Sequence, residues 1–342
     1  MLSGRSILRT VPAFLAVLLL LFAGIPEPVA AVEKPRIRIS VENYPGHVQT
    51  EAVRHFAAEL KARLGDRYAI EFYHSGQLFR DRDVLAALSA GNAEIAVPGT
   101  WQIDPYERSV AAFLLPACFA QSPEVIHALS DGPLGAEISR RMEESLNVVV
   151  LGRWLDLGHA HLFFSGRRVS SHQEIEDLRI RVAGGLGNEL RIRTLGALPV
   201  SIPWNDLPFY VQQKRLDGVL TTYETARSGR LWEYGIRYAF EDHQYFAQYV
   251  PLMRRTFWNR LSSEDRRTIR EVWESMVDTQ RQAAISAQAE ARLVLERNGI
   301  EVVEPKAEEL EATRLRLLRE QDRIAHALGI PPSVLRLLVG SR

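Results

Sequence analysis

A single cysteine, Cys118, is all the chain carries in 342 residues, so no disulfide closes within it. Neither sign of charge dominates: 42 Lys and Arg stand against 42 Asp and Glu, a formal charge of zero. Nothing in that balance calls for nucleic acid or an anionic membrane surface as a partner. The short patterns of many enzymes are missing too. There is no His-Glu-x-x-His, no Gly-x-Ser-x-Gly, no phosphate loop and no cysteine pair. No apolar run after the first residues approaches the ~20 that span a bilayer. Internal repeats and low-complexity tracts are absent as well.

What is present begins with a leader. Arg5 and Arg9 precede the apolar run Val11–Gly24, and Pro26 and the small residues Val29-Ala30-Ala31 follow. This is the three-part layout of a secretory signal peptide, with cleavage expected after Ala31. The remainder holds 40 basic and 41 acidic residues. At 46% apolar and 25% charged, the composition is that of ordinary globular domains. The roughly 310 residues left suffice for two such domains. Cys118 sits in the apolar segment Phe113–Phe119, which predicts a packed thiol rather than a nucleophile.

Period-two alternation at Arg36–Val41 predicts a first strand. A helical stripe over Glu51–Leu64, a strand at Tyr68–Tyr73, a helix at Asp83–Ala90 and a strand at Glu94–Val97 follow. Such a β-α-β-α-β series implies an α/β fold with an open, largely parallel sheet flanked by helices. Next come one helix from Ser122 to about Leu146 and a strand at Val148–Gly152. Strands are also expected at Tyr238–Phe240 and Gln248–Met253. Leu261-Ser262-Ser263-Glu264-Asp265 reads as a helix start, a serine cap with acids in the first turn, and the long helix reaches Asn298. Ile300–Val303 and an amphipathic helix from about Lys306 to Leu328 end the chain.

The centre of the chain is Asp177–Gly218. Its opening Asp177-Leu178-Arg179-Ile180-Arg181-Val182 alternates as a short strand. Helix-like residues to Leu195, the apolar run Leu198–Pro203, a short helix capped by Asn205 and the strand Leu216–Leu220 follow. Ligands of β-α units bind where strands end, and Arg181 lies near such an end. A guanidinium there meets a planar anion with two parallel hydrogen bonds. The loops Asn43–His47 and Pro98–Trp101 leave strand ends in the same way. Gly184-Gly185-Leu186-Gly187 lacks the spacing of a dinucleotide fingerprint and reads as a turn whose N–H groups face the crevice. His159 and His161 share a strand face, but spacing supplies no third ligand, so neither metal nor cofactor is expected.

Several of these stretches, in order, resemble the solute-binding proteins of tripartite ATP-independent periplasmic (TRAP) transporters, the DctP-like family. They are Tyr73-His74-Ser75-Gly76-Gln77-Leu78, Gly91-Asn92-Ala93-Glu94-Ile95-Ala96, Asp177–Val182 in shortened form, Leu195-Gly196-Ala197 with Pro199, Pro203 and Asp206, Asp217-Gly218, and Trp258-Asn259-Arg260-Leu261. The resemblance implies a two-lobed periplasmic binding fold with a ligand cleft between lobes and a long helix in the C-terminal half. Expected boundaries are 32–157 plus 247–285 for one lobe and 158–246 plus 286–342 for the other. Strands crossing at Leu155–Gly158 and Phe240–Ala247 would serve as hinges.

By the same resemblance, Arg181 anchors the carboxylate of a small organic acid. His161 stands where many members carry a second arginine, and Thr221 where they carry asparagine. Trp101, Trp154, Trp204, Tyr223 and Phe209 are expected in loops about the crevice, with His47 and His243 as lesser candidates. Trp258 and Trp273, on or beside the long helix, are expected in a core. The implied role is capture of the acid for the small and large membrane subunits of a TRAP permease, in the periplasm, by a monomer or weak homodimer. The alternative is a sensor of the same fold that presents its closed form to a receptor. A secreted enzyme is disfavoured, because no constellation of base, nucleophile and oxyanion donors is legible.

Overall fold

The computed structural model describes residues 33–340; the leader read at 1–31 lies outside the described residues. β1 (Arg36–Ser40) buries Ile37 and Ile39 completely. Then come α1 (Val48–Leu64), β2 (Ala69–Tyr73), α2 (Val84–Ala90) and β3 (Ile95–Ala96), as the periodicity predicts. After α3 (Thr100–Ile103) the apolar stretch Arg108–Leu114 and Pro116–Cys118 form tight 3₁₀ turns. Cys118 is buried there, its thiol near the Ala112 carbonyl.

The helix expected over Ser122–Leu146 is two, α4 (Pro123–Ser130) and α5 (Pro133–Ser145). Pro133 has no N–H to give and its ring blocks the preceding turn, so it starts a helix after Gly132 instead of continuing one. β4 (Val148–Val150) follows, fully buried.

The second series is β5 (Leu155–Phe164), β6 (Arg179–Val182), α6 (Leu186–Thr194) and β7 (Leu198–Ser201). It continues with α7 (Leu207–Gln212), β8 (Gly218–Thr222) and α8 (Tyr223–Ser228). Asn205 does not cap α7: a 3₁₀ turn, Trp204–Asp206, leads in, and Asp206 takes the cap position without a side-chain bond. β9 (Tyr238–Tyr249) runs without a break where two short strands were expected. Its polar middle, Glu241–Gln244, hid the strand. Asp242 and Gln244 are in fact buried, both bonded to the His172 ring at 3.2 and 3.4 Å.

β10 (Leu252–Arg254) and α9 (Arg255–Trp258) lead to α10 (Ser263–Arg297), 35 residues long. Of the two serines at the expected cap, Ser262 is the one that serves, accepting from the Asp265 N–H at 3.0 Å. Trp273 is buried edge-on against Phe56, and Trp258 is buried too. After β11 (Glu301–Val303), the single terminal helix of the sequence reading resolves into α11 (Ala307–Arg319), α12 (Gln321–Leu328) and α13 (Pro332–Gly340).

Two mixed sheets organise these elements. One has the order β2-β1-β3-β10-β4, the other β11-β9-β5-β8-β6-β7. The first is not largely parallel, because β10 returns antiparallel between β3 and β4. β5 and β9 pair along their length and carry the chain from one sheet to the other, with register shifts at Asp156/Gly158 and Ala160/Leu162. α10 packs on α1 of one lobe and on α8 and β5 of the other. α11–α13 touch both sides: α13 packs on α5, α12 on α6, and Thr313 of α11 meets His172 at 3.2 Å. Among the described residues no helix is long and apolar enough to cross a membrane.

Candidate functional site

Strand ends from both sheets converge on one buried pocket. β1 delivers Glu42 and Asn43, the turn after β3 delivers Trp101, β6 delivers Arg181, and β8 delivers Thr221 and Thr222. The crossing strands add Leu157, Tyr245 and Tyr249. Arg181 is 2% exposed. Its Nε donates to the Ile202 carbonyl at 2.9 Å, and its guanidinium lies 5.6 Å from the Trp204 ring centre. Nη2 is buried with no hydrogen-bond partner. Burial pushes this guanidinium down to about 10, against the nearby Asp81, Tyr245 and Glu42.

Two acids face it. Burial and the proximity of Asp81 push the Glu42 carboxyl up to about 8, although the Gln102 amide donates to it and Arg181 is near. Asp81 accepts from the Trp204 N–H at 3.2 Å and the Arg82 N–H at 2.9 Å. The indole N–H groups of Trp101 and Trp204 are both buried and unpartnered. So the lining residues include three unused donors, Arg181 Nη2 and the two indoles, together with two carboxyl groups. The pocket's free space is about 30 Å³, room for one or two waters. The cleft is shut.

Contacts between the lobes keep it shut. Asp104 accepts from the N–H groups of Leu186 and Gly187, both at 2.9 Å, at the start of α6. These N–H groups were expected to face the crevice; a carboxylate from the opposite lobe occupies them instead. Gly185 makes the approach possible: it sits at φ +88°, and a Cβ there would lie 2.6 Å from the Trp101 carbonyl oxygen. Burial raises the Asp104 carboxyl to about 6 in spite of both bonds. Reciprocally, Glu224 of α8 accepts from the Val48 N–H at the start of α1 (3.3 Å), and Arg227 donates to the Gly46 carbonyl at 3.1 Å.

Of the residues singled out in the sequence, Arg181, Thr221, Trp101 and Trp204 meet at this pocket. His47 lies just behind it, fully buried, with Nε2 3.2 Å from Thr225 Oγ1; burial lowers it to about 3. His161, His243 and Tyr223 are not part of the pocket but line a separate cavity against α10. Trp154 faces neither: it packs in the first lobe's core, 5.1 Å from Phe113. Phe209 is exposed on α7. Glu42, Asp81, Tyr245 and Tyr249 went unrecognised in the sequence. Glu42 sits one residue ahead of the loop that was singled out. Asp81 lies in Arg80-Asp81-Arg82-Asp83, which looks like any solvated run. Among the described residues no three His, Cys, Asp or Glu side chains are placed to hold a metal ion.

The fold has counterparts. The family model for bacterial extracellular solute-binding proteins, family 7 (DctP), matches residues 39–325. The sialic acid-binding periplasmic protein SiaP of Vibrio cholerae is 22% identical over 286 residues, 84% of this chain and 88% of SiaP. The C4-dicarboxylate-binding periplasmic protein DctP of Shewanella loihica is 22% identical over 251 residues, 73% of this chain and 72% of its own. Among solved structures, the sugar acid binding protein DctPAm from Advenella mimigardefordensis in complex with galactonate superposes with a TM-score of 0.83 at 20% identity, covering 91% of this chain and all of that one. A TRAP periplasmic solute-binding protein of Chromohalobacter salexigens with bound D-glucuronate gives 0.81 at 19% identity over 89% and 98%. The chain belongs to the family 7 (DctP) bacterial extracellular solute-binding proteins, a family of binding proteins and not of enzymes.

Proposed function

We propose that this protein captures a small organic carboxylate bearing hydroxyl or ammonium groups and hands it to the membrane subunits of a TRAP permease. The observation that carries the reading is the unpartnered, fully buried Nη2 of Arg181 beside the Trp204 ring. A buried guanidinium without a carboxylate partner is costly, and a ligand carboxylate relieves it. The indole donors of Trp101 and Trp204 serve further acceptors, while Glu42 and Asp81 suit a ligand's own donors. The relatives lend support: those named above bind sialic acid, C4-dicarboxylates, galactonate or D-glucuronate, all of them carboxylates.

Each bond to a charged partner contributes about 1.5–3 kcal/mol, and micromolar affinity needs about 8 kcal/mol. The remainder comes from closing the lobes over the ligand body. Ligand then favours the closed form because only that form completes the contacts. Rotation takes place about the crossing strands β5 and β9, where Gly158 at φ +117° interrupts regular pairing. The test is a thermal-shift screen of hydroxy acids, sugar acids, amino acids and dicarboxylates, followed by calorimetry. A hit is expected to lose at least about a hundredfold in affinity in Arg181→Ala. Unchanged affinity in that variant removes Arg181 as the anchor.

A further inference from the structure

A second cavity, much larger than the space at Arg181, lies elsewhere among the described residues. It has a volume of about 460 Å³ and lies between α10 and the strands β5 and β9, and no residue lining it also lines the Arg181 pocket. That size is ordinary for a small-molecule site. One wall is apolar, built by Phe246 and by Ala284, Ala289 and Leu293 of α10. Facing it is a cluster of three histidines. The His243 ring stands edge-on to both His159 and His161, at 4.7 and 4.8 Å between centroids. His243 holds φ at +47°, a strained backbone for a non-glycine residue.

The protons of this cluster can be assigned from its bonds. His159 Nε2 lies 2.8 Å from the Gln121 carbonyl and donates to it, so its Nδ1 is a free acceptor. His161 Nδ1 accepts from the His243 backbone N–H, so its Nε2 carries the proton. Burial holds both rings neutral, His159 down to about 4 and His161 well below the ordinary histidine value. Two further groups are left over. Tyr223 Oη and Glu241 Oε2 are buried with no partner at full hydrogen-bond geometry, but they lie close enough to act on each other, and Arg292 is 3.6 Å from Glu241.

The charge here is negative on balance. Arg292 is the one guanidinium lining the cavity, and three carboxylates surround it: Glu241 at 3.6 Å, Glu296 at 3.5 Å, and Glu304. Asp156, the other lining acid, is already satisfied by His127 at 2.6 Å and Gln248 at 3.1 Å. Aromatic faces, free acceptors and a carboxylate that shares its one guanidinium with two others together suit a cation with an apolar body.

We propose that this cavity is a second binding site, taking a small organic amine whose ammonium group meets Glu241 and whose ring or branched body lies against Phe246 and the α10 wall. The site is independent of the acid-binding reading, since the two pockets share no residue. The test uses three probes of one shape and different charge: phenethylamine, phenethyl alcohol and hydrocinnamate, added to the mature protein while histidine ring C–H resonances are followed by NMR. Saturable shifts of His159, His161 and His243 are expected with the amine, with the alcohol at least about tenfold weaker and the carboxylate inactive. Glu241→Gln should weaken the amine by a similar factor, and Ala289→Phe, on the exposed face of α10, should block it. Arg181→Ala should leave it unchanged. The proposal is overturned if the amine moves none of these resonances at millimolar concentration, if all three probes bind alike, or if Arg181→Ala abolishes the shifts.

Discussion

Asp104 grips Gly187 from the opposite lobe: one carboxylate oxygen lies 2.9 Å from the Gly187 N–H, and the other 2.9 Å from the N–H of Leu186. A carboxylate at a helix start satisfies orphan donors and sits well in the helix dipole. Asp104→Ala should therefore shift the ligand-free protein toward the open form. Small-angle scattering is expected to show a larger radius of gyration for the variant, and saturating ligand should restore the compact value. Loss of such a cap is worth about 1 kcal/mol. Equal radii for variant and wild type would remove Asp104 from the closure contacts.

The Glu42 carboxyl, pushed up to about 8 by burial beside Asp81, holds its proton at neutral pH in the closed cleft. Above that value it becomes an anion close to the Arg181 guanidinium, which on the proposed reading holds the ligand's carboxylate. Affinity for a monocarboxylate is then expected to fall as pH rises past 8, and Glu42→Gln should abolish that fall. Calorimetry at pH 7, 8 and 9 would measure it, and a wild type that binds equally at all three contradicts the assignment.

Acid sensitivity follows from the buried histidines. His47 is lowered to about 3, His159 to about 4, and His161 well below its ordinary value, all chiefly by burial. The unfolded chain takes up protons near pH 6.5 that the folded one refuses, so their stabilisation is complete above that pH. It is lost as pH falls toward the folded values, up to about 2 kcal/mol per histidine between pH 7 and 5. Glu42 and Asp104, whose carboxyls are raised to about 8 and about 6, act in the opposite sense and offset part of the loss. A lower midpoint of denaturant unfolding at pH 5 than at pH 7 is expected, with His47 Hε1 not titrating across that interval.

Two tryptophans that looked alike in sequence should behave differently. Trp154→Ala empties a core position beside Phe113 and is expected to cost about 3–5 kcal/mol of stability, with affinity of the surviving folded protein nearly unchanged. Trp204→Phe keeps most of the volume but removes a buried indole donor under Arg181. Affinity should fall about tenfold while the melting temperature of the empty protein changes little. Thermal unfolding and calorimetry on both variants separate the two roles.

Much of this was legible because it rests on local rules. The strand at Arg181, the β-α-β-α-β opening and the Ser262-capped helix each carry their own periodicity or cap. Arg181 reached the pocket because a strand end fixes where a residue goes. What hid was set by distant partners. The polar middle of β9 is buried only because His172 answers Asp242 and Gln244 from 70 residues away. His161 matched a family position by spacing, yet its side chain faces α10, whose approach no local pattern encodes. Asp81 and Asp104 became site and closure residues only once the two lobes met.

α10 contains neither proline nor glycine from Ser263 to Arg297, so it is an unbroken rod of roughly 50 Å at 1.5 Å per residue. It is fastened to one half through α1 and to the other through α8 and β5. Such a rod bows gently but does not fold at its middle. When the halves separate they must therefore swing beside it, the gap staying narrow along its flank and widening on the far side, which is where a solute has to enter.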